Sequence, residues 1–451
     1  MIKAAALILL TSSFLMVASC GNRGDNGILS DDPVQGDQVE VVDNEPPVGD
    51  ADIKDGHLGS SGNDLDLSSS APGNGNTHDD NVHTNISDMT AIEWVANIRI
   101  GWSLGNTLDA HGNRDGFPNL GGGIYANTSV TELETGWGRP VTTISHFTTL
   151  KEAGFNAVRI PVTWYKACDA ELNIREDWMA RVKEVVGYAV SNDMYIILNT
   201  HHDDVLFKLN DEEIEESKKN IKKIWEQIAT AFKDHDLKLA FEGLNEPRTI
   251  GSPAEWRGGT EEERYNLNML NQIFVDTVRS TEGNNAERIL IIPTYAASGN
   301  ETAQRGLVMP DDPAKNKIVV SIHYYEPWSF ALRTGTGSVA TWDVNNRDDT
   351  AVITRAFDLA HELFIRNGIP VIFGEMGAIN RDNIEARAAW AEFYTAYAKS
   401  KDIPCFWWDN GSYWVLRRLS WGWEQTFGLL DRVNFEIAHP EIVEALLRGT
   451  S

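Results

Sequence analysis

The sequence predicts an α/β fold, a closed (β/α)8 TIM barrel that occupies residues 89–451. Eight short runs rich in β-branched residues alternate with longer stretches of helical periodicity, which is typical of parallel βαβ units. No glycine-rich phosphate loop interrupts them, and this favours a closed barrel over a doubly wound sheet. Polar side chains also collect where several runs end, as the carboxyl-terminal face of a barrel requires.

Each predicted strand is a short apolar run bounded by polar or turn-forming residues. The eight runs are Ile98–Gly105, Ala157–Pro161, Tyr195–Thr200, Leu239–Leu244, Ile289–Pro293, Ile318–Ile322, Val371–Gly374 and Cys405–Trp408. Between them, apolar residues three and four positions apart predict helices. This pattern is clearest at Asp177–Asn192, Ile221–Phe232, Ala351–Arg366 and Ile384–Lys399, and a last helix is predicted at Glu441–Leu447.

The first 20 residues predict a lipoprotein signal peptide. Lys3 precedes an uncharged apolar run, Ala4–Ala18, which is shorter than the roughly 20 residues of a membrane span. The run ends in Val17-Ala18-Ser19-Cys20, which resembles the lipid-attachment site of bacterial lipoproteins. We therefore expect Cys20 to carry lipid and the exported protein to be anchored at the cell surface or outer membrane, on the periplasmic or extracellular face. An ordinary cleaved signal that happens to contain cysteine is the alternative.

Residues 21–88 predict a flexible acidic tether. Between Gly21 and Thr90 there are 15 acidic and 2 basic residues, so about half of the chain's net charge of −27 lies there. The segment is rich in Gly, Asp, Asn and Ser and has almost no aromatic residues, so it cannot bury enough apolar surface to offset chain entropy. We expect it to hold the barrel away from a membrane that the protein contacts only through its lipid anchor.

The charge of the chain excludes nucleic acid as a partner. A nucleic-acid binder needs a basic stripe to displace counterions from phosphates, whereas this chain is strongly acidic. The domain that follows the tether is only mildly acidic, which suits a neutral ligand. We expect the domain to be a monomer.

Two glutamates stand at the ends of the fourth and seventh predicted strands, in Asn245-Glu246-Pro247 and Gly374-Glu375-Met376. These strands face each other across a narrow barrel, so the two carboxylates can converge. Glycoside hydrolysis needs such a pair, one acid to protonate the leaving oxygen and one carboxylate to attack the anomeric carbon. A gap of about 5–5.5 Å would indicate retention of configuration, and a wider gap inversion. Taken singly, each glutamate is explained equally well by a salt bridge at the rim or a helix cap.

Other strand ends supply side chains that complete such a site. They are Arg159, His201, His202, His323, Tyr325, Trp407 and Trp408. A guanidinium beside a carboxylate keeps it ionised, so Arg159 is expected to lower the pKa of Glu375. Histidine and tyrosine hydrogen-bond a nucleophile or sugar hydroxyls, and the face of a tryptophan suits the apolar face of a pyranose.

The run His201-His202-Asp203 also contains residue types that bind zinc. Adjacent residues on a strand point to opposite faces, and the third ligand would be His323, which the glycosidase interpretation already uses. We therefore predict no metal. Two interpretations of His202 stay open. It is either a buried histidine whose hydrogen bonds are satisfied by the backbone, or a residue that contacts the substrate.

Together these motifs resemble glycoside hydrolase family 5, the cellulase-type barrels of clan A, over about Met89–Gly449. The markers, in barrel order, are Gly101–Ala110, Arg159-Ile160-Pro161, Asn245-Glu246-Pro247 and Gly374-Glu375. The segments Glu134–Gly138 and Trp407–Asn410 are most similar to subfamily 4, which contains endoglucanases, lichenases and xyloglucanases. The resemblance implies a retaining mechanism and no cofactor.

The resemblance also implies a role for each matching residue. Glu246 matches the acid/base and Glu375 the nucleophile, with Arg159 and Tyr325 as its companions. The residues expected to bind substrate are Asn106, Trp137, Arg159, His201, His202, Asn245, His323, Tyr325 and Trp408. Asn245 matches the contact to the sugar 2-OH. Trp408 matches the platform of the −1 subsite, although a misalignment of one residue would exchange it with Trp407.

The predicted function is that of a retaining endo-β-1,4-glucanase that hydrolyses cellulose, mixed-linkage glucan or xyloglucan. A β-mannanase on the same scaffold is one alternative. The other is a non-catalytic, surface-anchored glycan-binding lipoprotein, which has no need for two carboxylates that flank one bond.

Overall fold

The structure is a computed structural model that describes residues 88–111, 128–419 and 422–451. The predicted signal peptide with Cys20, and residues 21–87 of the predicted tether, lie outside the described residues. Both therefore stay predictions.

Eight parallel strands close into a barrel in sequence order, and β8 pairs with β1. They are β1 (Gly101–Leu104), β2 (Ala157–Ile160), β3 (Tyr195–Asn199), β4 (Leu239–Glu242), β5 (Leu290–Ser298), β6 (Ile318–His323), β7 (Val371–Met376) and β8 (Cys405–Asp409). The predicted (β/α)8 barrel is confirmed, and each predicted strand overlaps an observed one. The strand β5 runs past its predicted end at Pro293 to Ser298, because an irregularity between these residues lets the chain pair again with β6.

Helices follow the strands around the outside of the barrel. They are α1 (Ala91–Ala96), α2 (Val130–Thr135), α3 (Ile144–Glu152), α4 (Glu176–Ser191), α5 (Ile214–Phe232), α6 (Glu261–Arg279), α7 (Glu301–Arg305), α8 (Trp328–Ala331), α9 (Arg347–Leu363), α10 (Ile384–Lys399) and α11 (Pro440–Gly449). The helix α5 begins before the predicted Ile221, because Ile214 and Ser217 continue its buried face. Within the described part of the chain, no helix is both long and apolar enough to cross a membrane.

Two short hairpins near the carboxyl terminus complete the structure. They consist of β9 (Arg417–Leu419) with β10 (Gly422–Glu424), and of β11 (Leu430–Asp431) with β12 (Glu436–Ile437). Neither is predicted from the sequence, because strands of two or three residues are too short to show an alternating pattern.

The interior of the barrel changes from apolar to charged toward the carboxyl-terminal ends of the strands. Alternate residues of a barrel strand point inward. The lower, apolar layer includes Ala157, Ala240 and Val319, which pack in one cluster with Trp94 of α1. Two positions further along the same strands stand the buried polar residues Arg159, Glu242 and Ser321. The period of a strand thus places a charged layer directly beneath the open face of the barrel.

Candidate active site

Glu246 and Glu375 meet at the carboxyl-terminal face of the barrel, with His323 of β6 between them. The Nδ1 atom of His323 lies 2.9 Å from Glu246 Oε1 and 3.7 Å from Glu375 Oε2. One oxygen of each carboxylate lies within 4.8 Å of the other. Inverting glycosidases hold their carboxyl groups about 6.5–9.5 Å apart to admit a water molecule, whereas retaining ones use about 5–5.5 Å. The spacing in this site is the retaining one.

Arg159 connects the buried charged layer to this pair. Its guanidinium donates to Glu375 Oε1, to Glu242 Oε2 and to Asn245 Oδ1, each at 2.7 Å. Burial would lower the pKa of Arg159, but the carboxylates of Glu242 and Glu375 outweigh it and raise that pKa. The charge of Arg159 is therefore permanent. Because guanidinium has only donors, Asn245 presents its oxygen to Arg159 and its Nδ2 donor elsewhere.

Glu242 is a site residue that the sequence analysis missed. Besides Arg159, its carboxylate accepts hydrogen bonds from Ser321 Oγ at 2.8 Å and from Asn199 Nδ2 at 3.0 Å. A signal was present, because Glu242 is a lone charge in an apolar predicted strand, as Arg159 is. A buried charge needs a partner, and two such lone charges on different strands are candidates to pair with each other.

Glu375 is held by one donor on each oxygen. Arg159 contacts Oε1, and the hydroxyl of Tyr325 donates to Oε2 at 2.9 Å. Burial raises the pKa of Glu375 above its usual value, and the carboxylate of Glu246 adds to this rise. Arg159, His323 and Tyr325 oppose it. The two donors also fix the orientation of the carboxylate, as a nucleophile requires.

The carboxylate of Glu246 lies within hydrogen-bond distance of His323 Nδ1. Burial alone would raise the pKa of Glu246, but the hydrogen bond and positive charge of His323, together with Arg248, hold that pKa below its usual value. Because the carboxylates of Glu246 and Glu375 lie so close together, their titration belongs to the pair rather than to either residue alone.

The protonated nitrogen of His201 is defined by its neighbour Asn199. Asn199 Oδ1 accepts from the backbone N–H of Val162, so its Nδ2 is the donor that faces Glu242 and His201 Nδ1. His201 therefore accepts at Nδ1 and carries its hydrogen on Nε2. Burial and the neighbouring His202 lower the pKa of His201 well below its usual value, so the ring is neutral.

Two groups within the described residues bring three possible metal-ligand atoms within 4.8 Å, Asp109 with His201 and His202, and Glu246 with His323 and Glu375. The chemistry of both groups disfavours a metal. At His201, Nε2 carries the hydrogen and Nδ1 faces an amide donor, so neither nitrogen offers a free lone pair. In the second group the oxygens of Glu375 already face donors from Arg159 and Tyr325. Asp203, the acid of the predicted motif, accepts from the backbone N–H groups of Trp164 and Tyr165 instead.

Trp408 stands on the inner side of β8 and stacks on His201. The two rings are 5.4 Å apart and inclined by only 3°. Trp408 is half-buried, whereas Trp407 is fully buried and donates its indole N–H to Phe427 O. A side chain at Gly105 would come within 2.6 Å of the Trp408 ring, so glycine is needed beside it. Of the two neighbouring tryptophans, Trp408 is thus the one whose ring is partly exposed beside His201, as the predicted platform requires.

A chain of aromatic rings extends from this platform. The ring of His202 lies 4.4 Å from that of His201, 4.7 Å from that of His111 and 5.6 Å from that of Trp137. Trp137 donates its indole N–H to His111 O. His111 is therefore a second residue that the sequence analysis missed, although it directly follows the marker Gly101–Ala110. The remaining predicted residue, Asn106, adjoins Gly105 at the end of β1 with φ of 60°.

Comparison with known proteins shows which family this chain belongs to. Residues 122–413 match the family model described as cellulase, glycosyl hydrolase family 5. The chain belongs to glycosyl hydrolase family 5. This family 5 chain is also similar to endoglucanase A of Clostridium longisporum, with 41% identity over 363 residues. That match covers 80% of the chain and 66% of the endoglucanase, so the chain spans just under two thirds of that relative's length.

Solved structures of family 5 proteins share the fold closely. A broad-specificity GH5-4 endoglucanase from Ruminococcus champanellensis with bound cellotriose has a TM-score of 0.72 and 40% identity, and the match covers 80% of this chain and 99% of that one. XEG5A, a xyloglucan-specific endo-β-1,4-glucanase from a metagenomic library in complex with cellotriose, has a TM-score of 0.70 and 39% identity, with 79% and 97% covered. The predicted resemblance to family 5, and to its subfamily 4, is confirmed.

The structure brings most of the predicted site residues of this family 5 domain into one connected cluster. Contacts within it link Glu246, Glu375, Arg159, Asn245, His323 and Tyr325. A second set of ring contacts links His201, His202, Trp137 and Trp408. Asn106 is placed at the same face by its neighbour Gly105, whose backbone approaches Trp408. The functional role of each residue stays a prediction.

Proposed function

We propose that this family 5 enzyme is a retaining endo-β-1,4-glucanase, with Glu246 as acid/base and Glu375 as nucleophile. The observation that carries the proposal is the spacing of the two carboxylates, whose nearest oxygens lie within 4.8 Å. This gap is too small for the water molecule that an inverting enzyme places opposite its acid. It suits attack by one carboxylate while the other protonates the leaving oxygen.

The first displacement forms a bond between a Glu375 oxygen and the anomeric carbon. The bond from that carbon to the glycosidic oxygen breaks, and the oxygen takes a proton from Glu246. Arg159 and Tyr325 hold Glu375 in place for the attack. The product is a covalent glycosyl-enzyme of inverted configuration together with the released end of the chain.

The second displacement restores the enzyme. Glu246, now ionised, takes a proton from water, and the water oxygen attacks the anomeric carbon and releases Glu375. Two inversions give net retention. Esterification removes the negative charge of Glu375. That charge had raised the proton affinity of Glu246, so Glu246 loses its proton more readily after esterification and can act as a base.

The proposed substrate-binding residues offer hydrogen-bond donors and aromatic rings to the sugar. Asn245 has its oxygen committed to Arg159, so its amide donor serves the sugar 2-OH. His201 offers an N–H at Nε2. Trp408 provides the apolar platform of the −1 subsite, and the rings of His202 and Trp137 continue it toward the other negative subsites. Asn106 is assigned to these subsites by its position beside Gly105.

A β-1,4-linked glucan backbone is the proposed substrate class. The endoglucanases to which the chain is similar support it, and so do two structures that hold cellotriose. The mixture of broad-specificity and xyloglucan-specific proteins among these relatives does not favour one glucan over another.

A panel of polysaccharides tests this function. We expect reducing ends to be released from carboxymethyl-cellulose, mixed-linkage β-glucan or xyloglucan, with a fall in viscosity that precedes most of the release, as cleavage within chains requires. Cleavage of galactomannan alone would identify a β-mannanase instead. Binding to glucan without turnover would identify a glycan-binding lipoprotein.

We also propose that the protein is exported and anchored by lipid at Cys20, so that the tether of residues 21–88 presents the enzyme at the cell surface. The support is the apolar run that ends in Val17-Ala18-Ser19-Cys20 and the acidic composition that follows. In a bacterial host that processes lipoproteins, we expect the wild type in the membrane fraction and Cys20→Ser in the soluble fraction. Equal distribution of the two would contradict the anchor.

A further inference from the structure

Arg248 contacts the proposed acid/base from the side opposite to His323. Its Nη1 donates to the backbone oxygen of Glu246 at 2.8 Å and lies 3.7 Å from Glu246 Oε2. The side chain of Arg248 is only 10% exposed, and that of Glu246 11%. One guanidinium nitrogen therefore touches both the main chain and the carboxylate of the same residue.

The loop after β4 is built to hold this arginine. Glu255 Oε1 accepts from Arg248 Nε at 3.1 Å, and Glu255 Oε2 accepts from the N–H of Gly251 at 2.7 Å. The indole of Trp256 lies under the guanidinium, 4.7 Å from its carbon. An anion, a main-chain contact and an aromatic face thus fix the orientation of Arg248.

The other charged groups around Glu246 come from three further loops and strands. His323 faces it from β6, Glu375 lies beyond His323 on β7, and Asp204 lines the same small cavity from the loop after β3. Burial raises the pKa of Asp204. The positive charge of Arg248 opposes this rise, and the negative charge of Glu246 adds to it. Arg248 is thus a cation that pairs with Glu246 and Glu255 and also acts on Asp204, and Arg159 stands further away.

We propose that Arg248 is a positioning residue that stabilises the ionised form of the acid/base Glu246 and so supports the second displacement. The proposal rests on the function proposed above. In the first displacement Glu246 must hold a proton, which the carboxylate of Glu375 favours. In the second it must be a carboxylate, and by then Glu375 is esterified and neutral. Arg248 remains as a permanent cation beside Glu246 at that stage, with Arg159 further away.

The test compares four variants by their pH profiles. Arg248→Met and Arg248→Gln remove the charge, and Arg248→Lys keeps it. Arg264→Met is the matched control, because Arg264 Nη1 donates to the oxygens of Gly258 and Gly259 at the end of the same loop but touches no catalytic group. The substrates are soluble β-glucan and dinitrophenyl β-cellobioside, whose leaving group needs little help from an acid.

With β-glucan, we expect the basic limb of kcat/KM to move up by about one pH unit in the two neutral variants, since an adjacent arginine lowers a carboxyl pKa by about that much or more. With the dinitrophenyl substrate, we expect kcat to fall about tenfold at acidic pH, because a smaller fraction of Glu246 is then ionised and able to act as the base. Azide, a nucleophile that needs no base, should restore it. Arg248→Lys and Arg264→Met should retain the wild-type limb.

A limb that stays in place or moves down in the neutral variants would overturn the proposal. So would an equal shift in Arg264→Met, which would show that the loop, not the charge, is responsible. Glu246→Ala separates this failure from that of the proposed function. If Glu246→Ala loses activity and is rescued by azide, Glu246 is the acid/base and only the role of Arg248 is wrong. If Glu246→Ala stays active, the proposed function itself fails.

Discussion

Replacing Glu375 with glycine is expected to lower the rate of β-glucan hydrolysis by roughly 10⁵-fold, because the covalent step then has no nucleophile. The cavity left behind keeps Arg159 and Tyr325, the two donors that hold the carboxylate in the wild type. A small anion is therefore expected to bind there. With azide and an aryl β-cellobioside, the variant should form the glycosyl azide of inverted, α configuration, since one displacement replaces two. Initial rates and the anomeric configuration by NMR are the measurements.

The control for this variant is Glu216→Gln, which alters an exposed carboxylate of α5 whose ion-pair partner among the described residues is Lys219. Pairs of this kind contribute little, so both activity and folding should be those of the wild type. A Glu375→Gly protein that hydrolyses glucan at a similar rate to the control would contradict the nucleophile assignment. So would a β-configured azide product.

Replacing Glu246 with alanine is expected to slow the hydrolysis of β-glucan by about 10²- to 10⁴-fold, the usual contribution of an acid–base catalyst. The loss should depend on the leaving group. A sugar leaving group needs the proton of Glu246, whereas dinitrophenolate does not, so the first displacement with dinitrophenyl β-cellobioside should stay fast and a glycosyl-enzyme should accumulate. Azide should then raise kcat and give the product of retained, β configuration.

The two variants are thus distinguished by the stereochemistry of rescue. Burst kinetics with the dinitrophenyl substrate detect the accumulated intermediate, and Glu216→Gln again serves as the control. An azide product of α configuration from Glu246→Ala would mean that the roles of the two glutamates are exchanged. No effect of azide on either variant would mean that the spacing of the carboxylates does not reflect a covalent mechanism.

Much of the fold and half of the site follow from periodicity alone. The (β/α)8 barrel is evident from eight alternations, and Glu246 and Glu375 are visible because each ends an apolar run. The alternation of side chains along a strand also explains why Trp408 faces the inside of the barrel. Phe406 belongs to the interior cluster of the barrel, so Trp408, two positions later, points to the same side and Trp407 to the other. The sequence could have resolved that choice if the inward positions of β8 had been known.

The remaining features depend on distances between strands that no local pattern encodes. Glu242 meets Arg159 because β2, β3 and β4 pair in one particular register, which places both charges at the same height inside the barrel. The gap between the carboxylates of Glu246 and Glu375 depends on how the whole barrel closes, because they stand on different strands. Arg248 follows Pro247 in the sequence, but only the folded loop turns it back onto Glu246.

The hydrogen bond from Asn199 to His201 fixes which nitrogen of the His201 ring is the donor. A histidine in solution changes its charge near neutral pH and exchanges its hydrogen between two nitrogens. Here one nitrogen faces the amide donor of Asn199 and burial lowers the pKa of the ring, so the neutral ring presents its hydrogen at the other nitrogen. In the proposed function, His201 would therefore favour an oxygen lone pair on the bound sugar. In the proposed mechanism, the pH dependence of catalysis then belongs to the pair of carboxylates, Glu246 and Glu375.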